Sequence, residues 1–184
     1  MEGEYIGVMT SNELDKYKVL DTVNQWIFNC DTKASIVLAT LGIFLTILFS
    51  SSIGNFIAGT IKNCTENITV CNVIYLIIFI VGIIFMCAGI YKLIRVLVPT
   101  INMNHSSVMF FGNVAAYPTF DEYCKSVSTC SSDDFTADIL HQIFAASRIC
   151  AQKFKNQKMG IMLSFIGVAI VLFWLLLGFV VYYL

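Results

Sequence analysis

Few residues in this chain are of types that do covalent chemistry. There are two histidines, His105 and His141. His141 has alanines, Ala137 and Ala145, one helical turn away on either side, so its helix carries no His/Glu metal pair. Asp133 and Asp134 follow two serines and read as a helix start, not as an acid–base pair. No glycine-rich phosphate loop, nucleophile elbow or zinc-type Cys/His spacing occurs. The chain is therefore expected not to be an enzyme, with no catalytic residue, no metal and no resident cofactor. One charged string stands out, Asp31-Thr-Lys33-Ala-Ser35, at the edge of a long apolar run. Neither charge can go deep into hydrocarbon. The string therefore reads as a boundary and a structural interface formed by Asp31, Lys33 and Ser35, with Lys33 snorkelling and Asp31 pairing with Lys33 or Arg148 to lock two helices.

The elements that place this string are three apolar blocks, Ile36–Phe49 with a Ser-rich extension, Val73–Tyr91 and Ile161–Leu184. A bilayer core of ~30 Å needs about 20 apolar helical residues. The last two blocks approach or meet that length without a charge, and the first reaches it only if Ser50–Ala58 is counted. With 58% apolar and 12% charged residues, the chain lies outside the soluble norm of roughly 25% charged. A net charge of −1 without a polybasic run gives no case for nucleic acid. Met1–Asp31 is polar and acidic, unlike a signal peptide.

Ten of the eleven Lys and Arg residues flank the spans on one side, with only Lys62 on the other. The positive-inside rule then predicts a cytoplasmic N-terminal helix over 1–33, spans over 34–58, 73–98 and 158–184, an external loop over 59–72, and a cytoplasmic module over 99–157. The C-terminus is external. Cys64 and Cys71 share the external loop, where a disulfide is permitted, beside sequons at Asn63 and Asn67.

Local signals fill in the rest. Thr10 with Glu13 forms a capping box, and Leu14, Tyr17, Leu20, Val23 and Ile27 follow a helical period. No Pro or Gly interrupts Leu14–Leu41, so one helix should run into the first span. A second should start after Ser131-Ser-Asp-Asp134, with Leu140, Ile143, Ser147, Cys150 and Phe154 as its apolar stripe, and continue into the third span. Between them, Gly112 breaks an apolar segment, Tyr117-Pro118 is a turn, and Thr119 with Glu122 caps a short helix. Ser35 with Ala39, and Gly160 with Ser164, are small-residue pairs that let helices approach closely. Ser50–Ser52 either line a polar path or end a short span at the interface. The fold class is an all-α membrane protein: three transmembrane helices and a helical cytoplasmic module built from the N-terminal helix and residues 99–157.

The string from Trp26-Ile-Phe-Asn-Cys-Asp-Thr-Lys-Ala-Ser to Ala39 resembles the signature of the Pycsar effector family of bacterial anti-phage membrane proteins. Ser106-Ser-Val-Met-Phe-Phe-Gly112, Phe120-Asp-Glu-Tyr123 and Leu140–Lys153 are similar to its later segments, so the resemblance covers residues 14–184. It implies an inner-membrane protein activated by a cyclic pyrimidine mononucleotide, cUMP or cCMP, made by a partner cyclase. The output it implies is disruption of the membrane and abortive infection; the small-residue pairs of the spans add the expectation of a self-associating bundle, a homo-oligomer. Such a ligand needs a cation for its phosphate and stacking or amide contacts for its base. Arg148 is the best phosphate candidate because a guanidinium grips phosphate bidentately, with Lys33 beside it. Lys153, Lys155 and Lys158 read as positive-inside anchors. Asn113, Gln142 and His141 are the candidates for a base edge. The competing reading is a non-catalytic membrane scaffold or channel subunit that docks a cytoplasmic partner.

Overall fold

The computed structural model describes residues 11–66, 68–98 and 107–183, with side chains between 15 and 180. The described residues form six helices: α1 Ser11–Leu48, α2 Ser51–Glu66, α3 Val70–Leu97, α4 Phe111–Val114, α5 Phe120–Thr129 and α6 Ser132–Tyr183. There is no strand among the described residues. The Thr10–Glu13 capping box, the Leu14 end of the first stripe, the Asn67 sequon, His105 and Ser106 lie outside the described residues. Three helices are long and apolar enough to cross a membrane, within Asp15–Leu48, Val70–Leu97 and Ser132–Val180. The fold is an all-α membrane protein, as the apolar blocks predict.

The chain divides into two compact units. The first holds Met1–Asn29 and Thr100–Gln152, and the second Cys30–Pro99 and Lys153–Leu184. Helices α1 and α6 each contribute to both without a break, because neither contains a proline and their few glycines carry helical backbone.

The second unit is the bundle of the apolar blocks. Cys30, Ala34 and Leu41 of α1 bury themselves with Leu93 and Val96 of α3, flanked by Ile161 and Val168 of α6. Large apolar residues on the other faces are exposed, among them Ile43, Ile84, Phe165 and Leu176. That surface suits hydrocarbon, where bundles are held by close backbone packing and not by burial from water. The packing is visible along α3 and α6, which run antiparallel. A methyl group added at Gly160 would lie 2.8 Å from Leu93 Cγ, at Gly89 2.6 Å from Ser164 N, and at Gly167 2.5 Å from Met86 N. Only hydrogen fits at these three places. At the far end, Tyr75 stacks on Trp174 with centroids 4.8 Å apart. Its hydroxyl donates to the Trp174 carbonyl at 2.8 Å, while Trp174 Nε1 donates to the Tyr75 carbonyl at 3.0 Å. Each aromatic thus satisfies a polar tip that lipid would leave unpaired.

Helix α1 stops at Leu48, and Phe49-Ser50 turn the chain into α2. Residues 51–66, read from sequence as the outer part of the first span and the start of a loop, are a separate amphipathic helix. Thr60 and Cys64 are buried, and Ile53, Phe56, Ile57 and Ile61 half-buried on the same face. Ser51, Ser52, Asn55, Lys62 and Glu66 are exposed. From Cys30 to Leu48 α1 rises about 27 Å, and from Gln157 to Gly178 α6 rises about 31 Å. The Phe56 ring comes within 3.2 Å of a methyl placed at Gly178. So α1 covers the thickness of the bundle in its short apolar run, and α2 caps the far end with its apolar face inward, in the manner of interfacial helices. Cys64 is buried in α2 and Cys71 is exposed in α3.

In the first unit, the Tyr17 ring of α1 faces Phe135 of α6 at 6.4 Å. Ser131 caps α6: its hydroxyl accepts from Asp134 N at 3.1 Å, while Asp134 Oδ2 accepts from the Ser131 hydroxyl and amide. These bonds hold the Asp134 carboxyl below the usual carboxylate range. Thr119 caps α5 through Glu122 N, the arrangement the sequence predicts. The α6 stripe, however, is rotated from the expected one. Ile143 is half-buried and Cys150 buried, but Leu140, Ser147 and Phe154 are exposed. The buried face instead runs through Asp138, Ile139, Lys153, Asn156 and Gln157.

The glycine contacts give a direct expectation. Gly167→Ala should destabilise the protein by about 1–3 kcal/mol through overpacking, seen as a lower melting temperature in detergent. Gly42, with nothing within 4 Å of an added methyl, should tolerate Ala or gain slightly, by up to about 1 kcal/mol. Equal effects at both positions would contradict the packing described.

Candidate functional site

Two polar constellations lie on the buried face of α6. In the first unit, residues 107–110, before α4, have no regular structure and hang on one carboxylate. Asp138 Oδ2 accepts from Ser107 Oγ at 2.8 Å and from Val108 N at 3.2 Å. Ser107 Oγ in turn accepts from Met109 N, Phe110 N and Gln142 Nε2, at 3.1, 2.9 and 3.3 Å. Asp138 and Ser107 are 5% and 4% exposed. The Tyr123 hydroxyl of α5 donates to the Val108 carbonyl at 3.2 Å, which ties a third element to the same segment. Gly112 follows because the Phe110 ring folds back on it, 2.7 Å from where a methyl would sit. Phe111 is left 66% exposed beside the node.

In the second unit, α1 and α6 enter the apolar bundle through a charged pair. Lys153 Nζ lies 2.5 Å from Asp31 Oδ1, with the two side chains 9% and 33% exposed. One residue away, the Cys30 thiol donates to Gln157 Oε1 at 3.3 Å, and Gln157 Nε2 donates to the Cys30 carbonyl at 3.3 Å. An ammonium and a carboxylate that meet here neutralise each other where water thins out, which lowers the cost of burying either.

The residues singled out from sequence divide between these places and the surface. Gln142 belongs to the Ser107–Asp138 node. Asp31 is in the charged pair, and its partner is Lys153, where sequence reasoning named Lys33 or Arg148. Lys33 is exposed. Ser35 is exposed and donates back to the Asp31 carbonyl within α1 at 2.9 Å, and the small residue that lets helices close is Ala34, fully buried. Arg148 is exposed, its guanidinium 5.8 Å from the Phe144 ring centre one turn away. His141 is exposed and Asn113 half-buried. The structure thus gathers Gln142 but leaves Arg148, Lys33 and His141 outside either node. Ser107 and Asp138 are absent from the sequence-based site candidates, and Lys153, read from sequence as a positive-inside anchor, is instead the partner of Asp31. The two α6 residues carry a signal: stepping back from Ser164 and Gly160 by three or four residues at a time along one helix face leads through Gln157 and Lys153 to Gln142 and Asp138. Among the described residues, no three His, Cys, Asp or Glu side chains gather to hold a metal.

The charged pair should behave as a unit. Lys153→Met strands the Asp31 carboxylate, and because that group is a third exposed the loss should be about 1–3 kcal/mol, less than the 3–5 of a fully buried pair. Adding Asp31→Asn should restore most of it. Thermal melts of the two single variants and the double variant in nanodiscs check this, and strictly additive losses would contradict it.

The family model described as the Pycsar effector protein domain matches residues 16–181. A curated relative, the Pycsar effector protein GmPycTM of Gulbenkiania mobilis, is 31% identical over 160 residues, covering 78% of this chain and 81% of that protein. No solved structure matches the chain. With the family model spanning nearly all of α1 to α6, the chain belongs to the Pycsar effector protein family.

Proposed function

We propose that this chain is a membrane effector of anti-phage defence that binds a cyclic pyrimidine mononucleotide, cUMP or cCMP, and then breaches the inner membrane, halting the infected cell. Family membership supports the defence role and points to a partner cyclase as the source of the signal. The observation that carries the mechanism is the continuity of α1 and α6. Each runs unbroken between a unit that bears a buried polar node and a unit made of apolar helices. A nucleotide that favours one arrangement of the first unit then shifts the ends of two bundle helices with it. No catalytic step is needed, since the response is a change of packing.

The orientation follows from charge. Lys16, Lys18, Lys33, Lys92, Arg95, Lys125, Arg148, Lys153, Lys155 and Lys158 belong to one side and Lys62 to the other, which supports a cytoplasmic N-terminus and cytoplasmic residues 99–157, with α2 outside. Self-association is part of the proposal. The first unit leaves Trp26, Phe120 and Phe144 at 53%, 76% and 63% exposed, apolar surface that a module in water covers with further copies.

Membrane vesicles of both orientations test this together. With a dye entrapped, inside-out vesicles carrying the chain should leak when cUMP or cCMP is added outside, and right-side-out vesicles should not. Leakage of neither kind with either nucleotide would refute the effector reading. Leakage only from right-side-out vesicles would reverse the orientation.

A further inference from the structure

The two oxygens of Asp138 are treated unequally. Oδ2 carries two donors, the Ser107 hydroxyl and the Val108 amide. Oδ1 is shielded from solvent and has no hydrogen-bond partner among the described residues. A buried acceptor in this state is costly, and native structures nearly always supply a donor. Described donors of the same network are turned to another acceptor: the Met109 and Phe110 amides and one N–H of Gln142 Nε2 go to Ser107 Oγ.

We propose that Asp138 Oδ1 is the acceptor for a donor group of the activating nucleotide, a base N–H or amine or the ribose 2′-hydroxyl. This rests on the sensing reading above and adds to it the residue that reads the ligand. The chemistry sets the ligand's direction. A carboxylate repels the cyclic phosphate, so the phosphate points away from Asp138 while the neutral, donor-bearing end points in. Phe111, exposed and next to the segment hung on this carboxylate, offers a flat face for the base. Because Oδ1 is sealed from solvent, a ligand reaches it only when the packing around it opens. Occupancy and rearrangement are then one event, and the ligand stabilises the open arrangement by the bond that only that arrangement allows.

The test is calorimetric titration of the full chain in nanodiscs with cUMP and cCMP, then with two analogues of whichever binds, one methylated at the base donor and one lacking the 2′-hydroxyl. Asp138→Asn should weaken binding by about 10- to 100-fold, the worth of a hydrogen bond to a charged group. One of the two analogues should lose a similar factor on the natural chain and little more on the variant. Unchanged affinity of Asp138→Asn, or full affinity of both analogues for the natural chain, would overturn the assignment while leaving the sensing reading intact. Binding of neither nucleotide by the natural chain would overturn the sensing reading itself. Should Asp138→Asn lose helical circular dichroism, the analogue arm on the natural chain decides alone.

Discussion

A carboxylate on α1 and an ammonium on α6 meet where both helices turn apolar, and the register of the bundle follows from that meeting. Neither Asp31 nor Lys153 can move deeper without entering hydrocarbon as a bare ion, and neither can move away without stranding the other. With these two levels matched, Cys30 falls opposite Gln157 and exchanges hydrogen bonds with it. Ala34 and Leu41 then fall against α3 at Leu93 and Val96. Helix α3 is held against α6 by glycines that admit no side chain, at Gly89, Gly160 and Gly167. The charged pair sets height, and the glycine seam sets distance.

The inner face of α6 carries both polar nodes in a single helix. Asp138 and Gln142 hold the irregular segment before α4, and Lys153 and Gln157 hold α1. Buried polar groups of this kind are weak sources of stability but respond sharply to a change in partner. A switch needs two arrangements separated by a few kcal/mol and a ligand that prefers one. In the proposed switch, an apolar bundle with little driving force beyond packing meets the first need, because a small change at its entry is opposed by few strong bonds. The Asp138 oxygen that has no donor among the described residues meets the second, because a ligand can pair with it in one arrangement only.

Much of the architecture is readable in the residues, and the part that is not has a physical reason. Long charge-free runs demand helices in lipid, and Thr119 and Ser131 announce helix starts through their caps, so α3, α5 and α6 appear where their sequences place them. Helix α2 is different. Its apolar positions merge with those of α1 into one apparent span, and only the short Ile36–Phe49 run, about as long as the bundle is thick, hints that the chain must turn at Ser50. The inner face of α6 departs from the pattern in which buried faces are apolar. Leu140 and Phe154 look like core but are exposed, while Asp138, Lys153 and Gln157 look like surface but are buried. Partners far apart in sequence decide this, Ser107 for Asp138 and Asp31 for Lys153, and no local pattern reveals them. Arg148 has the chemistry to grip a phosphate, yet it is exposed and lies over the Phe144 ring.

The measurement that bears most directly on this account is the membrane potential of bacteria making the chain, read with a voltage-sensitive dye as cUMP or cCMP is supplied. The account predicts rapid loss of potential with one of these nucleotides and a normal potential without it. An unchanged potential with both, in cells whose membranes demonstrably contain the protein, would contradict it.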